Sequence, residues 1–161
     1  MILVFDSSSL IAMARIGRLD LLQELAGEIH IPAAVLEEVA TPGDERAGGA
    51  EVRRSSWIRV EHVADRRVVE HLRARLGRGE SESIVLAREL SADFLVLDDA
   101  AARRVAEGEG ARVIGLLGLL VHARERGMIA KLKPLLEELK ATGFYIGDSL
   151  YHDLLHRVGE A

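Results

Sequence analysis

The sequence predicts an α/β protein, a three-layer α/β/α sandwich around a central, mostly parallel sheet of four to five strands. One observation indicates this fold, and a second indicates a single domain. Short apolar runs that suit strands buried on both faces alternate with longer helical patterns along most of the 161 residues. No internal repeat, linker or low-complexity segment interrupts this alternation, so we expect a single domain over residues 1–161.

Five segments are predicted as strands because they are short, rich in branched apolar residues and bounded by turn or acidic residues. The clearest are the continuous apolar runs at residues 2–5 and 94–97. The other three lie at residues 28–31, 57–60 and 112–114.

Apolar residues at helical spacing predict helices between these strands. Pro32 suits the first turn of one of them, and a Gly- and Pro-rich loop is expected at residues 42–50. The C-terminal segment at about 134–159 is predicted to form two helices that separate at Gly143 and pack on the domain. The other predicted helices lie at residues 9–16, 19–26, 33–40, 65–76, 80–90, 100–107 and 115–126.

Composition excludes several classes of function. The chain has no cysteine, which excludes disulfides, cysteine nucleophiles, iron–sulfur clusters and cysteine-containing zinc sites. The longest apolar run, residues 113–121, is far shorter than the roughly 18 residues of a membrane span. No basic leader precedes the first apolar run, so a signal peptide is not expected either. We therefore expect a cytoplasmic protein without a membrane partner.

Charge is distributed unevenly along the chain. The formal net charge is −5, yet residues 53–78 contain eight arginines against three acids. Such a basic segment is typical of a solvated helix face, but it can also bind phosphates on an otherwise acidic protein. The eight are Arg53, Arg54, Arg59, Arg66, Arg67, Arg73, Arg75 and Arg78.

Aspartates follow two of the predicted buried strands. Asp6 comes directly after residues 2–5, and Asp98 and Asp99 come directly after residues 94–97. Ligands of open parallel sheets bind beyond the carboxyl ends of the strands, which is where these acids fall. The alternative is helix capping, because Asp is also a common residue before a helix.

Two glutamates border apolar helix faces. Glu38 borders the buried side of its predicted helix, and Glu80 precedes Ile84 and Ala87 on the same buried face. Glu82 is expected to lie off that face. A carboxylate beside apolar surface requires a positive partner, which is either an arginine or a metal ion.

The acids together form a set of hard oxygen ligands without His or Cys. Such a set suits Mg²⁺ or Mn²⁺ and disfavours zinc or copper. Divalent ions held in this way support two-metal hydrolysis of phosphodiester bonds. The candidate metal ligands and catalytic acids are Asp6, Glu38, Glu80 and Asp98 or Asp99.

Six segments provide a further indication: VFDSSSLI, IPAAVLEEV, GRGESESIVLARE, LVLDDAAARRVA, VIGLLGLLVHARERGMI and KPLLEELKATGFYI. In their order and spacing, from residue 2 to about residue 146, they resemble the PIN-domain family. Within that family they resemble PIN-like proteins related to VapC-type toxin ribonucleases. The resemblance implies an α/β/α fold with an acidic pocket that binds Mg²⁺ or Mn²⁺ and cleaves RNA.

The resemblance also implies roles for single residues. Asp6 matches the acid of the first strand, Glu38 the glutamate of the V-x-x-E helix, and Glu80 the third acid, with Glu82 as the alternative. The fourth acid is Asp98 or Asp99, because a shift of one residue in the loop exchanges them. Two further matches are Ser8, a small hydroxyl residue that orients water near the metal, and Arg103, which faces phosphate or an acidic neighbour. On the basic segment, the candidate RNA contacts are Arg53, Arg54, Arg66 and Arg67.

Two hypotheses about function follow. The first is a metal-dependent endoribonuclease, with RNA as substrate and the toxin of a toxin–antitoxin pair as one option. That option adds a small antitoxin protein as a partner. The family resemblance, together with the apolar faces of the terminal helices, indicates a homo-oligomer, which we expect to be a dimer. The second is a PIN-like module with weak or no catalysis that binds nucleic acid or a partner protein. It is motivated by Glu at position 80, where many relatives have Asp, and by LVLDD, which lacks the hydroxyl residue of the toxin pattern.

One rival motif indicates different chemistry. The segment HDLLH places His152 and His156 four residues apart with an acid between them, as in some zinc sites. The acid is Asp rather than Glu, and no third histidine follows. Surface histidines on a terminal helix are the favoured interpretation.

Overall fold

The computed structural model describes residues 1–40 and 48–161, in which five strands form one parallel sheet. The order across the sheet is β3-β2-β1-β4-β5, and every neighbouring pair is parallel. The strands are β1 (Leu3–Phe5), β2 (Ile29–Pro32), β3 (Ile58–Glu61), β4 (Phe94–Val96) and β5 (Val113–Ile114).

Helices connect the strands and cover both faces of the sheet. None of those in the described ranges combines the length and the apolar character that a bilayer span requires. They are α1 (Ser7–Arg15), α2 (Leu19–Ala26), α3 (Ala33–Val39), α4 (Gly49–Arg54), α5 (Arg66–Leu72), α6 (Arg78–Glu89), α7 (Ala100–Gly108), α8 (Leu116–Glu125), α9 (Lys133–Ala141) and α10 (Asp148–Arg157).

Side chains alternate along the strands and divide the core into two layers. On β1, Leu3 and Phe5 join one apolar cluster and Val4 joins the other; on β4, Val96 and Leu95 divide in the same way. The first cluster also contains residues of α1, α2, α8, α9 and α10, and the second contains residues of α5, α6 and α7. The predicted three-layer α/β/α sandwich with a parallel sheet is therefore confirmed.

Two predicted boundaries are wrong. Of the loop expected at residues 42–50, residues 42–47 lie outside the described residues. Its predicted end is wrong, because helix α4 already begins at Gly49. This short helix forms because Val52, only 2% exposed, packs into the core. The helix expected at residues 65–76 ends at Leu72, and turns follow it.

The carboxyl ends of the two central strands bring distant acids to one edge of the sheet. Phe5 on β1 pairs with Val96 on β4, and the Asp6 N–H donates to the Val96 carbonyl at 3.1 Å. The residues that follow these strands therefore share this edge, which places Asp6 near Asp98 although 92 positions separate them in the sequence numbering.

Candidate active site

Asp6 is the most buried of the acids at the sheet edge. It directly follows β1, precedes the first turn of α1 and is 7% exposed. Among the residues that the structure describes, no donor reaches its buried Oδ1. A buried carboxylate oxygen without a donor is unfavourable unless it carries a proton or contacts a cation.

Burial raises the pKa of the Asp6 carboxyl from 3.8 to about 7. The backbone N–H of Ser7 opposes this shift, because it stabilises the charged form. The negative charges of Glu38, Glu80 and Asp98 also contribute to this raised pKa, after burial as the largest cause. The fold thus gathers four carboxyl groups from separate elements closely enough for their charges to interact.

Glu38 reaches this cluster from α3, and donors from α1 and α6 bind its two carboxylate oxygens. The Ser7 hydroxyl donates to its Oε2 at 2.7 Å, and the Gly79 N–H donates to its Oε1 at 3.0 Å. One carboxylate therefore connects α3 with the beginnings of α1 and α6.

Asp98 follows β4 and is also held at both oxygens. The buried Ser9 hydroxyl donates to Oδ2 at 2.6 Å, and the Leu116 N–H at the start of α8 donates to Oδ1 at 3.0 Å. Arg103 lies near Asp98, and both side chains face Gly115. A Cβ added to Gly115 would be 3.1 Å from Asp98 Oδ1 and 3.4 Å from Arg103 Nη1. The arginine is thus placed beside an acid of the cluster.

Glu80 and Asp99 are two further acids of the cluster, and they lie close enough for their charges to interact. Glu80 Oε1 accepts the Gly77 N–H at 3.3 Å at the start of α6, and burial raises the pKa of Glu80. The charges of Asp99 and Glu38 raise the pKa of Glu80 further. Asp99 caps α7 by accepting the Ala102 N–H at 2.8 Å, as the capping alternative anticipates.

Glu82 occupies a different environment. The prediction that it lies off the buried face of its helix is wrong: Glu82 is 2% exposed, because α6 is enclosed by the sheet, α3 and α5. Its Oε2 lies 3.3 Å from Arg66 Nη1 and 3.2 Å from Arg78 Nε, and its Oε1 accepts the Ala34 N–H at 3.3 Å. The structure therefore pairs Glu82 with arginines and leaves Glu80 in the acid cluster.

The serines after Asp6 differ from one another in their contacts. Ser8, the hydroxyl residue singled out from the sequence, is exposed, whereas Ser7 and Ser9 donate to acids of the cluster. Sequence reasoning missed both roles. The available signal was the run of three hydroxyl residues at the start of a helix, where successive side chains point in different directions.

The arginines that are predicted to contact RNA differ in their ion pairs. Arg66 pairs with Glu82, so part of its charge is neutralised within the protein. Arg53, Arg54 and Arg67 are exposed, and within the described ranges no ion pair engages them.

The donor chemistry of the site fits a divalent cation. Every candidate ligand is a carboxylate oxygen, which Mg²⁺ and Mn²⁺ prefer, and the donor-free Oδ1 belongs to Asp6, whose charge interacts with those of Glu38, Glu80 and Asp98. Over residues 1–40 and 48–161, no three acidic or histidine side chains are positioned to coordinate one metal ion together. Glu38 and Asp98 are instead turned toward the protein donors described above.

A parallel α/β/α sandwich with carboxylates gathered at the carboxyl edge of its sheet defines a protein whose ligand site is acidic. A family model described as a PIN domain matches residues 2–160, and the chain belongs to this family. PIN domains are generally nucleases and typically use divalent metal ions. Among curated proteins and solved structures, none matches the chain significantly.

Proposed function

We propose that this protein is a ribonuclease that depends on Mg²⁺ or Mn²⁺. The observation that supports the proposal most is Asp6, a buried carboxylate with a donor-free oxygen and three further carboxylates close enough to raise its pKa. Glu38, Glu80 and Asp98 are those neighbours, and Asp99 adjoins Glu80. Repulsion among such groups is relieved when a cation binds between them.

The side chains at and after Asp6 have defined parts in this proposal. A bound divalent ion supplies Lewis acidity toward a phosphate oxygen and lowers the pKa of a coordinated water. Asp6 provides the buried carboxylate, and the Ser7 and Ser9 hydroxyls limit the rotation of Glu38 and Asp98. Ser8 is exposed beside Asp6, where its hydroxyl can orient a water molecule.

The RNA side of the proposal rests on the arginines. Arg103 lies beside Asp98, at the edge where a scissile phosphate has to bind. Exposed Arg53, Arg54 and Arg67 provide further positive charge for the phosphate backbone. Binding of RNA through such contacts weakens as the salt concentration rises.

Cleavage of labelled single-stranded RNAs tests the proposal. The assay compares the parent with Asp6→Asn in Mn²⁺ or Mg²⁺, with EDTA as the metal-free control. Asp20→Asn is a matched control, because Asp20 is exposed on α2 and pairs with Arg18. We expect the parent and Asp20→Asn to cleave only with metal and Asp6→Asn to lose cleavage. Equal cleavage by Asp6→Asn contradicts the proposal.

The second candidate is a PIN-fold module that binds nucleic acid or a partner protein with little catalysis. It is favoured by the carboxylates of Glu38 and Asp98, whose oxygens already accept hydrogen bonds from the protein. Metal-dependent stability separates the candidates, because an ion that binds the folded state raises its melting temperature. A metal site predicts a rise in Tm with Mn²⁺, and a binding module without such a site predicts none.

The dimer and the antitoxin partner stay predictions. Most apolar side chains of the terminal helices pack into the core, including Leu139 on α9 and Leu155 on α10. Tyr145 and Leu150 keep large exposed surfaces, 89% and 47% respectively. Light scattering of the purified protein tests the dimer, and a monomeric mass contradicts it.

A further inference from the structure

We propose that Gly79 is a positioning residue of the acid cluster, because its missing side chain makes room for the Glu38 carboxylate at the start of α6. The inference rests on the proposed metal-dependent function, since it concerns how Glu38 is held for the ion. Gly79 is buried and is the second residue of its helix.

The approach of Glu38 to Gly79 leaves no space for a side chain. A Cβ added at position 79 would lie 2.7 Å from Cδ of Glu38, 2.8 Å from Oε2 and still closer to Oε1. Carbon atoms do not approach carboxylates this closely without displacement. The Gly79 N–H meanwhile donates to Glu38 Oε1 at 3.0 Å, so the carboxylate lies directly on the helix backbone.

The backbone itself does not require glycine at this position. Gly79 is in α6 and is not among the glycines with positive φ. Glycine inside a helix is less favourable than alanine, because it loses more conformational freedom on folding. The close contact with Glu38 is therefore the structural reason for glycine here.

An alanine at position 79 acts on the site more than on the fold. The group that it displaces is the end of the flexible Glu38 side chain, which can rotate away without moving the backbone. The rotation breaks the hydrogen bond from the Gly79 N–H and changes the position of the carboxylate in the acid cluster. Changes in groups that orient metal ligands typically weaken metal binding by about 10–100-fold.

The experiment measures the Mn²⁺ affinity by calorimetry and the melting temperature in EDTA for four proteins: the parent, Gly79→Ala, Glu38→Ala and the double variant. Gly108→Ala is the matched control, because Gly108 is also helical, has no positive φ and would meet nothing within 4 Å of an added Cβ. We expect Gly79→Ala to raise the Kd for Mn²⁺ by about tenfold or more. Its Tm in EDTA should stay within about 3 °C of the parent.

The decisive comparison is whether the effect of Gly79→Ala on the Kd for Mn²⁺ depends on the presence of Glu38. In the Glu38→Ala background, Gly79→Ala should leave the Kd unchanged, because no carboxylate remains to be displaced. Gly108→Ala should leave the Kd unchanged in both backgrounds. Parent-like Mn²⁺ affinity in Gly79→Ala, or an equal loss in both backgrounds, overturns the role of Gly79 while the metal site itself stands. Failure of the parent protein to bind Mn²⁺ instead overturns the proposed function and this inference with it.

Discussion

The buried Ser9 hydroxyl donates to Asp98 Oδ2 at 2.6 Å and so connects the first turn of α1 with the end of β4. The same α1 turn connects with α3 through Ser7 and Glu38. Two serines of one helical turn thus fix two acids that reach the site from different parts of the chain. The acid cluster depends on α1 as much as on the acids themselves.

Ser9→Ala should destabilise the protein. Hydrogen bonds to charged groups contribute about 1.5–3 kcal/mol, and the variant leaves Asp98 Oδ2 without this donor. For a chain of this size, at about 2–4 °C per kcal/mol, a loss of that magnitude lowers Tm by about 3–12 °C. Thermal unfolding in EDTA measures the effect. Ser8→Ala is the control for stability, because Ser8 is exposed in the same turn. Equal stability of the two variants contradicts the role of Ser9.

Glu80→Gln and Glu82→Gln should change different properties: the first should lower the Mn²⁺ affinity, and the second should lower the stability. Burial raises the pKa of Glu80, so removal of its charge should not destabilise the metal-free protein, whereas Mn²⁺ affinity should fall. Glu82 is buried, but its partners Arg66 and Arg78 are about half exposed, so Glu82→Gln should lower the free energy of unfolding by about 2 kcal/mol, the magnitude of a hydrogen bond to a charged group, and leave Mn²⁺ affinity near that of the parent.

Calorimetry with Mn²⁺ and denaturant unfolding in EDTA measure the two properties of this pair separately. Both substitutions remove one negative charge from the same helix, so each variant is the control for the other. A loss of Mn²⁺ affinity in Glu82→Gln, without a loss of stability, would mean that Glu82 and not Glu80 belongs to the metal site.

The stability of the metal-free protein should fall with rising pH because of Asp6. The folded state raises the pKa of Asp6 from 3.8 to about 7, so the folded protein binds this proton more tightly than the unfolded chain. The resulting stabilisation is complete below about pH 4 and is lost as the pH rises through about 7. Its size is about 4 kcal/mol, at roughly 1.4 kcal/mol for each pKa unit.

Asp6→Asn removes this titration. In EDTA the variant should therefore be more stable than the parent near pH 8, and the difference should shrink as the pH is lowered toward about 4. Denaturant unfolding of both proteins across this range measures the difference. A stability difference that is independent of pH would show that Asp6 has an ordinary pKa in the folded protein.

Much of the sheet and its acidic edge could be predicted from local patterns. Apolar runs followed by Asp6 and Asp98 indicate parallel strands, and the carboxyl ends of such strands meet at one edge. Helix α2 has the bounds that the spacing of its apolar residues predicts. These features depend on the period and length of local segments, which a single sequence records directly.

The features that could not be predicted depend on tertiary contacts. Glu82 is buried because three neighbouring elements enclose α6, whereas helical spacing assumes one buried face. The roles of Ser7 and Ser9 depend on where Glu38 and Asp98 arrive from distant segments. The need for glycine at position 79 has the same origin, since it exists only where Glu38 crosses the start of α6.

The most direct test of the acid cluster as a metal site is the anomalous scattering of a crystal soaked in Mn²⁺ near pH 8. We expect a manganese peak within coordination distance of Asp6 Oδ1, with Glu38, Glu80 or Asp98 as further ligands. Asp6→Asn crystals soaked in the same way should lose this peak. A parent crystal without manganese beside Asp6, at a concentration of the ion that fully supports RNA cleavage, would contradict the central claim.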